Sequence, residues 1–225
     1  MKYFFLFLVA LFLCGGVAVA HVSPEVFAST NLSAIKTTEL TSVQLTDNNN
    51  AVEVDGVIFE TVVPNQVVSI PENMPDIKTT WRVGIRITNK TSIPIRFNRY
   101  HLTPEFIGFN DKALFMDDFA FSLIPLTERD FPLVQPGKSF IVFWKGEFYW
   151  NENRLLFVAY YNRWKNRSLS FGTFSPGTYH VRFTYENANT ESSYFDQQNR
   201  QLRKLRGIVK GLFSTPWVEI KLVSS

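Results

Sequence analysis

Cysteine is almost absent from this sequence. Cys14 is the one thiol in 225 residues, so no internal disulfide can form. Histidine is scarce too, at His21, His101 and His180. None has a second histidine at metal-ligand spacing, and a zinc site needs three or four ligands. No Gly-x-Ser-x-Gly elbow, phosphate-cradling glycine loop or His-Glu-x-x-His pair occurs. Asp117-Asp118 and the Glu128/Asp130 pair lack calcium-loop spacing and read as a solvated turn. The expectation is a chain that is not an enzyme and holds no cofactor and no metal. The net charge is only +3, too small to argue for nucleic acid. No apolar run reaches the roughly 20 residues of a membrane helix.

What is present begins at residue 2. Lys2 is a positive start, Tyr3 to Leu13 is unbroken apolar sequence, and Ala18-Val19-Ala20 is a small-x-small cleavage pattern. These three parts together predict a secretory signal peptide over 1–20, cut near Ala20. The mature chain then starts at His21, is secreted or periplasmic, and has lost Cys14. A lipid anchor on Cys14 would need a small residue before it, and Leu13 is not small. An amino-terminal histidine can chelate copper, but His21 is better read as an accident of cleavage. Extracellular animal domains of this size are usually disulfide-bonded, so a cysteine-free one points to a bacterial source.

Residues 21–50 are rich in Ser, Thr and Asn without sustained periodicity, which predicts a flexible tail. From residue 51 the pattern changes. Trp81, Val83, Ile85 and Ile87 alternate strictly with Arg82, Gly84, Arg86 and Thr88, the mark of a half-buried strand. Asn89 to Ser92 is turn chemistry, and Ile93, Ile95 and Phe97 resume the alternation, so the two stretches read as a strand pair. Val52, Val54, Val57-Ile58-Phe59 and Val62-Val63 read as a first strand, with Asp55-Gly56 as a turn or bulge in it. Further strands are predicted over 139–144, 155–161, 180–185 and 217–223. Ala113–Met116 and Phe119–Ile124 read as two apolar runs split by Asp117-Asp118. Many short strands, regular turn signals and no convincing long helix predict an all-β chain. Its expected form over 51–225 is an antiparallel immunoglobulin-like β-sandwich of Greek-key topology. Ser175-Pro176-Gly177-Thr178-Tyr179 is a sharp corner similar to the tyrosine corner of such domains. Gly177 and Tyr179 are therefore structural candidates, and Trp81 or Trp144 would supply the buried indole.

Three segments carry a resemblance. They are Trp81-Arg82-Val83-Gly84-Ile85-Arg86-Ile87-Thr88-Asn89 with Pro94-Ile95-Arg96-Phe97, then Gly177 to Asn187, then Ser214-Thr215-Pro216-Trp217-Val218-Glu219. The set resembles a group of uncharacterised secreted bacterial proteins of cyanobacterial type, with an immunoglobulin-like sandwich. It implies a fold and a compartment and no activity. A weaker likeness to bacterial immunoglobulin-like proteinase inhibitors lacks their loop signatures, Arg-Pro-Trp included, so no residue roles are carried over.

Two surfaces are candidates for binding. Tyr149, Trp150, Tyr161 and Trp164 lie in a segment crowded with Asn and Arg. Such aromatics stack on sugar rings or anchor protein interfaces, though half of them would also suit a core. Arg200, Arg203, Lys204, Arg206 and Lys210 form a basic run. Leu202, Leu205, Val209 and Leu212 recur there at helical spacing. A short amphipathic helix touching an anionic surface is one reading of 200–210. A solvated loop is the other, and Gly207 and Gly211 favour it. Asn31, Asn89 and Asn166 begin glycosylation triplets, which would matter only in a eukaryotic host. The expected function is a binding module for a protein or polysaccharide at the cell envelope, with no transmembrane anchor. A protease inhibitor of immunoglobulin-like type and a structural envelope component are the alternatives.

Overall fold

The computed structural model describes residues 43–45, 50–114, 116–121, 125–160 and 167–224. Alternating apolar residues close into two large sheets. The first contains β1 (Val43–Leu45), β2 (Ala51–Val54), β3 (Val57–Val62), β5 (Lys78–Asn89), β9 (Met116–Phe121), β11 (Ser139–Asn151), β12 (Arg154–Tyr160) and β13 (Arg167–Phe174). Its order is β1-β2-β3-β5-β11-β12-β13-β9. The second contains β4 (Val67–Ser69), β7 (Leu102–Ile107), β8 (Ala113–Leu114), β14 (Gly177–Asn187), β17 (Gly211–Ser214) and β18 (Val218–Val223). It runs β4-β18-β14-β7-β8, with β17 also on β14. Two short strands, β6 (Ile95–Arg96) and β10 (Leu133–Val134), pair separately, as do β15 (Glu191–Asp196) and β16 (Gln201–Arg206). Among the described residues the strands pair antiparallel except β18 and β4, which run parallel, and an isolated parallel bridge joins Arg96 to Ile208.

The predicted alternation of β5 is realised: Trp81, Val83, Ile85 and Ile87 are all buried. Their sheet shares one core with the second. Phe106 of β7 meets Phe171 at 4.9 Å and Phe157 at 5.7 Å between ring centroids, both edge-on. Edge-on contact sets the positive ring edge against the negative face. Phe59 of β3 meets Phe213 of β17 at 4.2 Å. Each such ring contributes about 1.5–3 kcal/mol by leaving water. Gly146 makes room for one of them, because a Cβ there would run into the Phe157 ring.

Polar groups fix the corners. Tyr179 donates its hydroxyl hydrogen to the Ser175 carbonyl at 3.0 Å and accepts from the Ser175 N–H at 2.9 Å. Gly177, which opens the strand, has φ +152, where a side chain would be strained. Trp81 is buried with its indole N–H on the Asn65 carbonyl at 2.9 Å. Trp144 is buried too. Asn89 is fully buried and organises the turn after β5. Its amide donates to the Ile93 and Val134 carbonyls, and its oxygen accepts from Thr91.

Several sequence expectations are corrected. Trp81–Thr88 and Ile93–Phe97 do not pair. Both edges of β5 are taken by β3 and β11, and the chain leaves at Asn89 to put β6 against β10. Asp117 and Asp118 do not split two runs but lie inside β9, which pairs with β13. Residues 201–206 are a strand of a hairpin, and neither helix nor loop. A helix there would align Arg203, Arg206 and Lys210 along one face, where like charges repel. The hairpin instead sets Arg206 against Glu191 at 3.1 Å and Arg203 against Asp196 at 2.7 Å. Val43–Leu45, inside the stretch read as a tail, already pairs with β2. Most of 21–50, with the 1–20 leader, lies outside the described residues.

Candidate functional site

The back of each large sheet faces away from the core, and the two backs differ. On the second sheet one ion pair dominates. Arg182 meets Glu105 at 2.7 Å and stacks on Trp217 at 4.3 Å, and Thr184 donates to Glu105 at 2.7 Å. Around them stand His180, Glu219 and Lys221 in register. The same back also carries the exposed Leu212 of β17 and Val67 of β4.

The back of the first sheet is mixed. Along β11 the outward residues are Ile141, Phe143, Lys145, Glu147 and Tyr149, on alternate positions from the buried Trp144, Gly146 and Phe148. Ile141 and Phe143 keep 39% and 37% of their surface exposed. Phe143 stands opposite Gly84 of β5. A Cβ at Gly84 would lie 2.7 Å from Cδ1 of that ring, so the glycine lets the ring lie down on the sheet. The Arg82 guanidinium then sits over the Phe143 ring at 4.9 Å.

Arg82 in turn stands directly opposite Lys145, and Lys145 opposite Tyr160 of β12. Both cations are exposed. The neighbouring charges are already engaged. Arg86 binds Glu60 at 2.6 Å, and Glu147 takes Lys78 at 3.4 Å and the Tyr160 hydroxyl at 3.5 Å. Among the described residues no carboxylate pairs with Arg82 or Lys145. Burial raises the pKa of Tyr160, and the Glu147 carboxylate and Tyr149 beside it add to the rise. The exposed part of this face lies over β5 and β11, since Leu155 to Ala159 of β12 are buried throughout.

The sequence-derived candidates separate. Tyr149 is on this face, half-buried, with the Lys78 ammonium 5.5 Å from its ring centre. Trp150 faces the other way. It packs at the margin of the core and donates to the Pro71 carbonyl at 2.8 Å. Tyr161 and Trp164 lie outside the described residues. Arg203 and Arg206 are engaged with acids of their own hairpin. Hydrogen bonds from the Asn199 side chain and backbone, with Arg203 nearby, hold the Asp196 carboxyl below its ordinary pKa. Arg200, at the hairpin turn, and Lys204 have no acidic partner among the described residues. Arg82, Phe143, Lys145 and Tyr160 were missed from sequence. Extending the 139–144 alternation to residue 151 would have exposed the β11 members, but no sequence signal sets Lys145 opposite Arg82.

Among the described residues no three His, Cys, Asp or Glu side chains gather as a metal site. No described helix is long and apolar enough to cross a membrane, which says nothing of strands. No family model and no curated protein matches the chain. Among solved structures, a Bacillus subtilis chain described as a "putative lipoprotein (ycdA)" is similar over 70% of this chain, with 11% identity and a TM-score of 0.29. The match takes in 38% of that chain, so this protein spans well under half its length.

Proposed function

We propose that this chain is an extracytoplasmic, non-enzymatic binding module of immunoglobulin-like, Greek-key sandwich type. It would act at the cell envelope and take a polysaccharide on the back of its first sheet. The carrying observation is the grouping of aromatic rings and cations on the back of the first sheet. The second back centres on the Arg182–Glu105 pair; the first presents Phe143 under Arg82 and Tyr149 beside Lys78, and among the described residues no carboxylate pairs with Arg82 or Lys145. Flat aromatic surface beside hydrogen-bonding groups suits sugar rings, which offer an apolar face and a rim of hydroxyls. The Tyr179–Ser175 corner and two sheets on a common core support the sandwich type. The leader pattern at 1–20 supports export. The likeness to secreted bacterial proteins of this type is part of the same reading.

Affinity electrophoresis through gels containing single polysaccharides tests the site, with Phe143→Ser and Tyr149→Ala beside the unaltered protein. Retardation on at least one polymer, lost in both variants at unchanged melting temperature, supports the reading. Identical mobility on every polymer for all three proteins overturns it. Amino-terminal sequencing of secreted material beginning at His21 tests the compartment.

A further inference from the structure

We infer that Arg82 and Lys145 together form an anion site that takes the carboxylates of an acidic polysaccharide, which rests on the reading of this sheet back as a polysaccharide surface. The two residues face each other across adjacent antiparallel strands, so their Cβ atoms are about 4.5–5.5 Å apart. Like charges in that position repel, and a fold selected for stability alone would set a carboxylate opposite one of them. The same sheet does so nearby, where Arg86 stands opposite Glu60 and pairs with it. Glu147, two residues from Lys145, is held by Lys78 and Tyr160 instead. The pair is therefore a place where an external anion relieves repulsion that no described carboxylate relieves.

The surroundings narrow the anion. Phe143 lies flat beneath Arg82 and does not project. Bilayer-binding surfaces instead bury projecting apolar groups in the acyl boundary. A flat face next to paired cations fits an extended chain carrying anions along its length, with rings available for stacking. Arg82, braced on the Phe143 ring, presents a planar fork suited to a carboxylate, and Lys145 adds a point charge.

The test measures binding of the unaltered protein, Arg82→Gln, Lys145→Gln and Lys221→Gln to four probes. These are polygalacturonate, neutral dextran, dextran sulfate, and vesicles containing phosphatidylglycerol. Lys221 serves as a control cation on the opposite sheet. The expected result is polygalacturonate binding that weakens with salt and falls about tenfold in each site variant. Lys221→Gln should bind normally, and Lys145→Gln should melt no lower than the unaltered protein. Polygalacturonate binding that Tyr149→Ala abolishes but neither site variant weakens sinks the anion site and leaves the polysaccharide reading standing. No binding to any polysaccharide removes both. Binding to vesicles alone assigns the cations to lipid, and equal loss in all three variants on every polyanion assigns them to general charge attraction. Either of those outcomes overturns the proposal.

Discussion

The Thr61 and Thr215 hydroxyls meet at 2.6 Å, both buried, and join the two sheets through their shared core. Thr61 belongs to β3 of the first sheet. Thr215 is tied to the second by accepting from the Phe183 N–H at 2.9 Å. Replacing Thr215 with valine leaves two buried groups unpartnered, each costing about 1–3 kcal/mol. Thr61→Val leaves none, because the Thr215 hydroxyl keeps the Phe183 N–H and can donate to the Phe183 carbonyl at 3.3 Å. Urea denaturation should rank the losses in that order, and the double variant should lose less than the sum of the two. Additive losses would mean that the hydroxyls do not interact.

Gly146→Ala should destabilise the fold by about 1–3 kcal/mol, because overpacking forces strain into a filled core. The added methyl meets the Phe157 ring and sits close to the Val158 carbonyl oxygen. Trimming the ring with Phe157→Leu in the same chain should recover part of the loss. Thermal melting of the single and double variants checks this. A Gly146→Ala protein as stable as the original refutes the close packing.

Tyr185 gives the fold an alkaline limit. Its phenol is buried, donates to the Val209 carbonyl at 2.8 Å, and has its pKa pushed up to about 12, first by burial. The unfolded phenol titrates near 10. The stabilisation is therefore complete below pH 10 and is lost as pH rises from 10 toward 12. At pH 11 the loss is about 1.4 kcal/mol. Other tyrosines and lysines titrate there too, so the quantity to measure is the difference between the unaltered protein and Tyr185→Phe. Denaturation at pH 9 and pH 11 should show that difference shrinking or reversing at the higher pH. A difference independent of pH would mean that the phenol is not shielded.

Asn89 should carry no glycan on folded protein secreted from a eukaryotic host, despite the Asn89-Lys90-Thr91 triplet. Its amide is fully buried and both its hydrogens are spent on carbonyls. Peptide mapping by mass spectrometry should find the residue unmodified. Asn89→Ala should cost about 2–3 kcal/mol, since those two carbonyls lose their donor.

Much of the local structure was legible because strand geometry acts over two residues. The strict alternation from Trp81 to Thr88 identified a strand and its inner face. Pro176, Gly177 and Tyr179 identified a corner with its hydrogen bond. The basic run was harder. Leu202, Leu205, Val209 and Leu212 fit a helical spacing, yet the partners that decide the matter, Glu191 and Asp196, lie on another strand. The inward turn of Trp150 was illegible for a similar reason. Neighbours on a strand point to opposite faces, and whether Tyr149 or Trp150 turns to the core depends on which face the second sheet covers.

By itself the sequence determined the class of structure: an all-β chain with turns at fixed places, because backbone preference and side-chain period are local properties. Only the tertiary structure decided the register between β5 and β11. That register sets Arg82 against Lys145, lays Phe143 on Gly84, and commits Glu147 to Lys78. The physical reason is that strand pairing is chosen by how two sheets fill one core, a sum over residues far apart in the chain.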